Sequence, residues 1–206
     1  MTVVRRRPAH LIVFARVPRL GEVKTRLAAA VGASAALEAH RMLLVRTLET
    51  GARCSAFESR SLAIAGHDVE GECMRLADRW GYGLASQRGG DLGARMAGAI
   101  DAACEGGALA VLVGSDCPEL SADDLDQAVH ALEGNDVVIA PAEDGGYVLI
   151  GCANPGLPIF EGVAWGSARV FEQTLLCAER AGLRVARLRT LWDVDEASDW
   201  KRWRGR

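Results

Sequence analysis

A chain of 206 residues, half hydrophobic, a quarter charged and carrying a net charge of −3, has the length for one packed core and the composition of an ordinary globular protein. The slightly negative balance leaves no global basic field, which argues against nucleic acid as a partner. No apolar run approaches the roughly 20 residues that span a bilayer. The six cysteines (54, 73, 104, 117, 152, 177) form no CxxC pair and no zinc spacing, so reduced, buried thiols in a cytoplasmic protein are expected. The basic ends, Arg5-Arg6-Arg7 and Lys201 to Arg206, read as solvated termini.

In chain order, residues 10–15 (His-Leu-Ile-Val-Phe-Ala) form an apolar run with no cleavage site after it, so they read as a first buried strand and not as a signal peptide. A polar loop leads to an Ala/Leu-rich helix over 34–49. Residues 53–65 are ambiguous, a strand with an irregular neighbour. A helix over 69–80, a short strand over 82–86 and a helix over 92–104 follow. Residues 109–113 make the second clear buried strand. Ser121 with Asp124 resembles a capping box opening a helix over 122–133, which Gly134-Asn135 ends. Strands are expected at 136–140 and 147–151. Ser167 is placed to cap a helix running to Ala181, with Gly182 at its C′ position. A last strand at 183–188 and a short helix at 196–203 complete the pattern. Strands separated by helices predict a three-layer α/β/α arrangement on a mostly parallel sheet. With no linker or repeat, residues 1–206 read as one domain.

Five constellations carry the chemistry. The loop Arg16 to Leu27 packs Arg16, Arg19, Lys24 and Arg26 around Gly21 between a strand and a helix. Such a loop offers backbone N–H groups, with Thr25 beside them, and charge to phosphates. It is neither GxxxxGK[ST] nor GxGxxG, and a solvated basic loop is the plain alternative. The segment Gln87 to Met96 contains Gly89 and Gly90, which permit close backbone approach. Gln87 there has the paired donor and acceptor that read a base edge, and Asp91 equally suits an ordinary N-cap.

Third, in the run Val111 to Leu120 an apolar strand leads into Ser115 and Asp116 and breaks at Pro118, which reads as delivering Asp116 to the sheet's carboxyl edge, where open α/β sheets bind ligands; a plain strand end opening a turn is the alternative. Fourth, Asp193-Val194-Asp195 is an extended pair of carboxylates pointing one way. With Asp116 they suit an oxygen-rich Mg²⁺ or Mn²⁺ site, phosphates and water supplying the remaining ligands. The turn Glu143-Asp144-Gly145-Gly146 offers Asp144 as a base beside an acceptor, and Trp165 is either cleft wall or core. The apolar stretch 157–165 suits a cleft wall or a homodimer contact. The histidines 10, 40, 67 and 130 have no catalytic setting, with His40 and His130 expected on helix surfaces. Phosphate-binding cations, a base-reading loop and acidic metal ligands together predict transfer from a nucleotide-activated donor.

The segments Phe14 to Leu27, Gln87 to Met96, Gly114 to Pro118, Pro141 to Gly151, Trp165-Gly166 and Asp193 to Asp195 fall in order along nearly the whole chain. Together they resemble a small bacterial and archaeal family of GT-A-type glycosyltransferases found with radical-SAM and selenoprotein-related genes, a branch of the nucleotide-diphospho-sugar transferase fold. The family is also similar to phospholactate guanylyltransferases and, more distantly, to molybdenum-cofactor guanylyltransferases. The resemblance implies phosphate binding by Lys24 and Arg26, nucleoside contact at Gln87 and Gly89, and metal binding by Asp116 with Asp193 or Asp195. One departure stands out: the usual DxD is Ser115-Asp116-Cys117, with a single carboxylate. The expected function is a metal-dependent glycosyltransferase using a nucleotide sugar and a small-molecule acceptor. A nucleotidyltransferase releasing pyrophosphate from an NTP and a non-catalytic nucleotide-binding module are the alternatives.

Overall fold

A computed structural model describes residues 6–205; Met1 to Arg5 and Arg206, with the parts of the two basic ends they hold, lie outside them. Seven strands form one sheet: β1 (Ala9–Arg16), β2 (Ser59–Ala65), β3 (Gly83–Ser86), β4 (Leu109–Gly114), β5 (Val137–Pro141), β6 (Tyr147–Cys152) and β7 (Val185–Arg187). Their order is β3-β2-β1-β4-β6-β5-β7. All run parallel except β6, which pairs antiparallel with both β4 and β5. The expected mostly parallel α/β sheet is therefore present as a mixed one.

The apolar runs of β1 and β4 are buried on both faces, as parallel central strands are. Alternate residues feed two cores. Leu11 and Val13 of β1 and Val111 and Val113 of β4 pack with Leu44, Leu48, Cys73 and Leu125. These come from α2 (Ala33–Arg53), α3 (Glu72–Trp80) and α5 (Ala122–Leu132). Ile12 and Phe14 pack on the other face with Met96, Ile100 and Ala178, from α4 (Leu92–Cys104) and α6 (Val170–Arg180). Each fully buried Leu or Ile contributes roughly 1.5–3 kcal/mol over leaving it exposed. A third, smaller cluster joins α1 (Thr25–Val31) and α2 to the segment before α7 (Ala197–Arg204) through Leu27, Leu43, Trp192 and Val194.

Several boundaries differ from the sequence reading for local reasons. The helix expected at 34–49 is α2, which runs longer, from Ala33 to Arg53, and the end of the loop expected before it is itself helical, α1, separated from α2 by Gly32 (φ +85). The helix expected from Val69 starts at Glu72, because Gly71 takes φ +67 and Asp68 accepts the Met74 N–H at 2.9 Å. Ser167 does not cap α6. Its N-cap is Arg169 without a side-chain bond, and the Phe171 N–H is satisfied instead by the Gly145 carbonyl at 2.9 Å. The capping box of α5 is present, and Asp124 also accepts from Nε and Nη2 of Arg189 at 2.6 and 2.7 Å. Arg6 and Arg7 are not merely solvated: Arg6 pairs with Glu133, and Arg7 donates to the Gly107 and Ala153 carbonyls. All six cysteines are free, and only Cys177 is not buried.

Candidate active site

The parallel strands β1 and β4 end side by side, so the loops after Arg16 and Gly114 meet at one edge of the sheet. Because β6 runs the other way, its first residue, Tyr147, lies at the same edge, and the turn Ala142 to Gly146 joins it from β5. The segment 191–195 is laced across this edge. Leu191 donates to the Pro141 carbonyl at 2.8 Å and Val194 donates to the Asp116 carbonyl at 3.0 Å. Val194 is buried while Asp193 and Asp195 both line the cleft, the alternation expected of an extended segment. The fold thus gathers these four constellations, and Gln87, Leu92, Arg95 and Met96 bring the fifth to the same cleft.

The cleft has two adjoining parts that share Phe14, Thr25, Leu92, Gly114 and Asp195. The β1-side cavity, about 490 Å³, is lined by Arg16, Lys24, His40, Gln87, Arg95 and Asp116, with Ser115 buried beneath. The β6-side cavity, about 660 Å³, is walled by Met96, Leu112, Tyr147, Val148 and Trp165, with Asp144, Asp193 and Asp195 at its polar part. Trp165 is cleft wall: it tilts against Phe160 at 6.2 Å between ring centres and lies over Gly93, where a methyl group would approach its ring to 2.6 Å.

Lys24 behaves differently from a phosphate ligand waiting in a loop. It precedes α1 in the left-handed region (φ +49), the sole non-glycine to do so among the described residues, and such a residue costs on the order of 1 kcal/mol. That turn drives its side chain inward, where it is 4% exposed. Its Nζ sits 2.8 Å from Asp116 Oδ1 and donates to the Val194 carbonyl at 2.5 Å. Backbone strain at a cleft residue is the kind found at functional sites. Arg26 pairs with Asp195 at 3.0 Å. Two of the cations expected to hold phosphate are therefore engaged by the carboxylates expected to hold metal.

Gln87 turns its amide nitrogen to the Ala15 and Ala63 carbonyls at 3.2 and 3.0 Å, so its donors brace β1 and β2 while the residue lines the cavity. Asp91 is an N-cap, accepting the Ala94 N–H at 2.8 Å. Gly89 (φ +133) lets its loop press on the Ala94–Arg95 backbone. Neither it, Asp91 nor Gly21 lines either cavity. Asp144 is exposed at the cleft, its Oδ1 accepting the Gly146 N–H at 2.8 Å. Gly145 takes φ +89 and a methyl group there would collide with the Ala168 carbonyl. Gly145 and Gly146 thus shape the turn that presents Asp144.

Two further cleft residues are absent from the sequence-based site. His40, expected on a surface, is 3% exposed. Its Nε2 faces the Arg16 carbonyl at 3.0 Å and its Nδ1 lies 3.9 Å from Asp116. Burial lowers its pKa, Asp116 opposing. The signal was present, since His40 lies on the same helical stripe as Ala36, Leu43 and Thr47. Arg95, within the Gln87–Met96 motif, reaches the β1-side cavity with only long contacts to the Gly89 and Gly90 carbonyls, 3.3 and 3.5 Å.

The carboxylates are crowded. Burial, then Asp144 and Asp116, raise the Asp193 carboxyl to about 6, with Lys24 opposing. Among the described residues no three His, Cys, Asp or Glu side chains are grouped to hold a cation by themselves. No helix among the described residues is long and apolar enough to cross a membrane.

A solved structure of a provisionally named nucleotide-diphospho-sugar transferase from Desulfovibrio desulfuricans G20 is 32% identical, with 94% of this chain and 84% of that one covered at a TM-score of 0.85. The 4-diphosphocytidyl-2C-methyl-D-erythritol synthase of Anaerococcus prevotii DSM 20548 shares the fold at 14% identity, 97% and 95% coverage and TM-score 0.66. A cytidylyltransferase from Leptospira borgpetersenii does so at 14% identity, 96% and 84% coverage and TM-score 0.57. Among proteins of curated function, none is matched by the sequence. Residues 47–167 match the model of a family described as uncharacterized proteins conserved in bacteria, DUF2064, and the chain belongs to that family.

Proposed function

We propose that this protein is a glycosyltransferase that takes its sugar from a nucleotide diphosphate sugar, the nucleotide lying in the β1-side cavity and the acceptor in the β6-side cavity. One observation carries the choice of donor. Of the cations in residues 16–26, Lys24 and Arg26 are engaged by Asp116 and Asp195, and Arg19 donates to the His67 carbonyl. The guanidinium groups left facing the cavity are Arg16, whose contact to the Glu22 carbonyl is 3.5 Å, and Arg95. Two forks suit the two phosphates of a diphosphate better than a triphosphate.

The carboxyl of Asp193, raised first by burial and then by the nearby Asp144 and Asp116, together with Asp195 on the same segment, fits a divalent cation, Mg²⁺ or Mn²⁺. Asp116 with Asp193 or Asp195 would hold it, with phosphate oxygens and water completing the set. When bound, such a cation neutralises the diphosphate as it leaves. The remaining work falls to this chain. Arg16 and Arg95 hold phosphates, and Lys24 fixes Asp116. Asp144, whose Oδ1 is held by Gly146, orients the acceptor hydroxyl and takes its proton as the sugar's bond to the diphosphate breaks and its bond to the acceptor oxygen forms.

The nucleotidyltransferase alternative needs a third phosphate held, which means Lys24 leaving Asp116. Thermal unfolding with nucleotide sugars, nucleoside diphosphates and NTPs, with and without Mg²⁺ and Mn²⁺, separates the readings, because a ligand of the native state raises the melting temperature. A metal-dependent rise of several degrees with one nucleotide sugar is expected. A rise with an NTP alone overturns the glycosyl reading in favour of nucleotidyl transfer, and metal-independent binding without turnover favours the non-catalytic module.

A further inference from the structure

Resting on the placement of the acceptor just proposed, we infer that the β6-side cavity takes an unphosphorylated acceptor with an apolar, ring-sized body, and that the chain rejects phosphorylated acceptors. The wall is made of Phe14, Met96, Leu112, Tyr147, Val148 and Trp165. Its volume of about 660 Å³ suits a ligand of drug size. The indole of Trp165 is pinned between Phe160 and Gly93, a rigid apolar face on which a flat ring stacks at little entropic cost.

The charge in the cavity has one sign to spare. Asp144, Asp193 and Asp195 line it, and Arg26 is the one cation lining it among the described residues. Arg26 is already 3.0 Å from Asp195. A phosphate entering this space would meet carboxylates and leave its own oxygens without a charged partner, and an unpaired charge out of water is costly. A divalent cation held by Asp116 with Asp193 or Asp195 does not change this, because its charge is matched by the donor diphosphate and Asp144 stays uncompensated. The guanidinium forks of Arg16 and Arg95 open into the other cavity. Acceptor choice is thus built partly by exclusion, the absent cation acting against one substrate class.

Calorimetric titration with a matched pair of probes, phenyl β-D-glucoside and its 6-phosphate, tests the inference without reading activity. Phenyl glucoside is expected to bind at least tenfold more tightly than the phosphate. Trp165→Ala is expected to weaken it about tenfold while leaving the nucleotide-induced thermal shift in place. Ala168→Lys, which adds a cation at the exposed rim of this cavity, is expected to narrow or reverse the preference. Equal or tighter binding of the 6-phosphate overturns the inference, and so does failure of both probes to bind folded protein at millimolar concentration. Nucleotide binding is measured on the same samples. Probe preference without any nucleotide shift sinks the transferase reading alone, and a nucleotide shift without the preference sinks the acceptor inference alone.

Discussion

On the β1 side of the cleft, carboxylates are matched by cations before any ligand arrives: Lys24 lies on Asp116, and Arg16 and Arg95 face the same cavity. On the β6 side they are crowded, with Asp193 pushed up to about 6 chiefly by its burial and then by Asp144 and Asp116. The first side is built for order and the second holds electrostatic strain that an incoming group can relieve. A cleft of this kind keeps its geometry when empty and still has something to gain on binding, which is the combination that pre-organised sites use.

The comparison breaks most sharply at Asp116. Replacing it with Ala removes the partner of an ammonium that is 4% exposed, and a buried charge stripped of its partner destabilises by about 3 kcal/mol. Metal-dependent nucleotide stabilisation is expected to vanish and turnover to fall on the order of 1000-fold. Chemical denaturation with and without nucleotide checks both. Lys24→Ala is expected to cost less stability, since Asp116 is 42% exposed and regains water.

Gly145→Ala comes next. It forces an L side chain to φ +89 and into the Ala168 carbonyl, so a loss of about 2 kcal/mol is expected, together with a rise in acceptor KM as the Asp144 turn shifts. Denaturation and initial rates would show it. If both stay unchanged, the turn does not present Asp144. Gly93→Ala displaces the Trp165 ring and is expected to weaken acceptor-side binding several-fold with nucleotide binding unaffected, read by the same calorimetry.

The smallest effect is a stabilisation. Asp193 has a folded pKa of about 6 against 3.8 for the free group, so the native state holds its proton longer than the unfolded chain. Its contribution to stability is therefore lost as pH rises from about 4 to 6. Asp193→Asn is expected to be more stable than the parent at pH 7.5, with the difference shrinking toward pH 4. A difference constant across that range would show that the carboxyl is not strained.

The fold was legible because its central strands announce themselves. Residues 109–113 are a continuous apolar run, as a strand buried on both faces must be, and the break at Asp116-Cys117-Pro118 marks the carboxyl edge. The short helix α1 was not, because seven residues beside four cations read as loop. Many of the residues that line the cleft were legible from their motifs, but their pairings were not. Whether Lys24 meets a phosphate or a carboxylate depends on Val194 and Asp116, far away in sequence, and on a left-handed turn that no propensity assigns to lysine. His40 was misplaced for the opposite reason: its helical stripe was in plain view, but polar residues on such stripes are usually passed over.

Lys24 and Val194 are 170 residues apart, and Arg26 and Asp195 are 169. The cleft is therefore closed by joining nearly the first and nearly the last structured segments of the chain. Contacts of such long range form late, because the loop between them must be ordered first. In refolding, the sheet will regain its secondary structure before the cleft is assembled, and during synthesis the cleft will be completed only when residues 191–195 have left the ribosome.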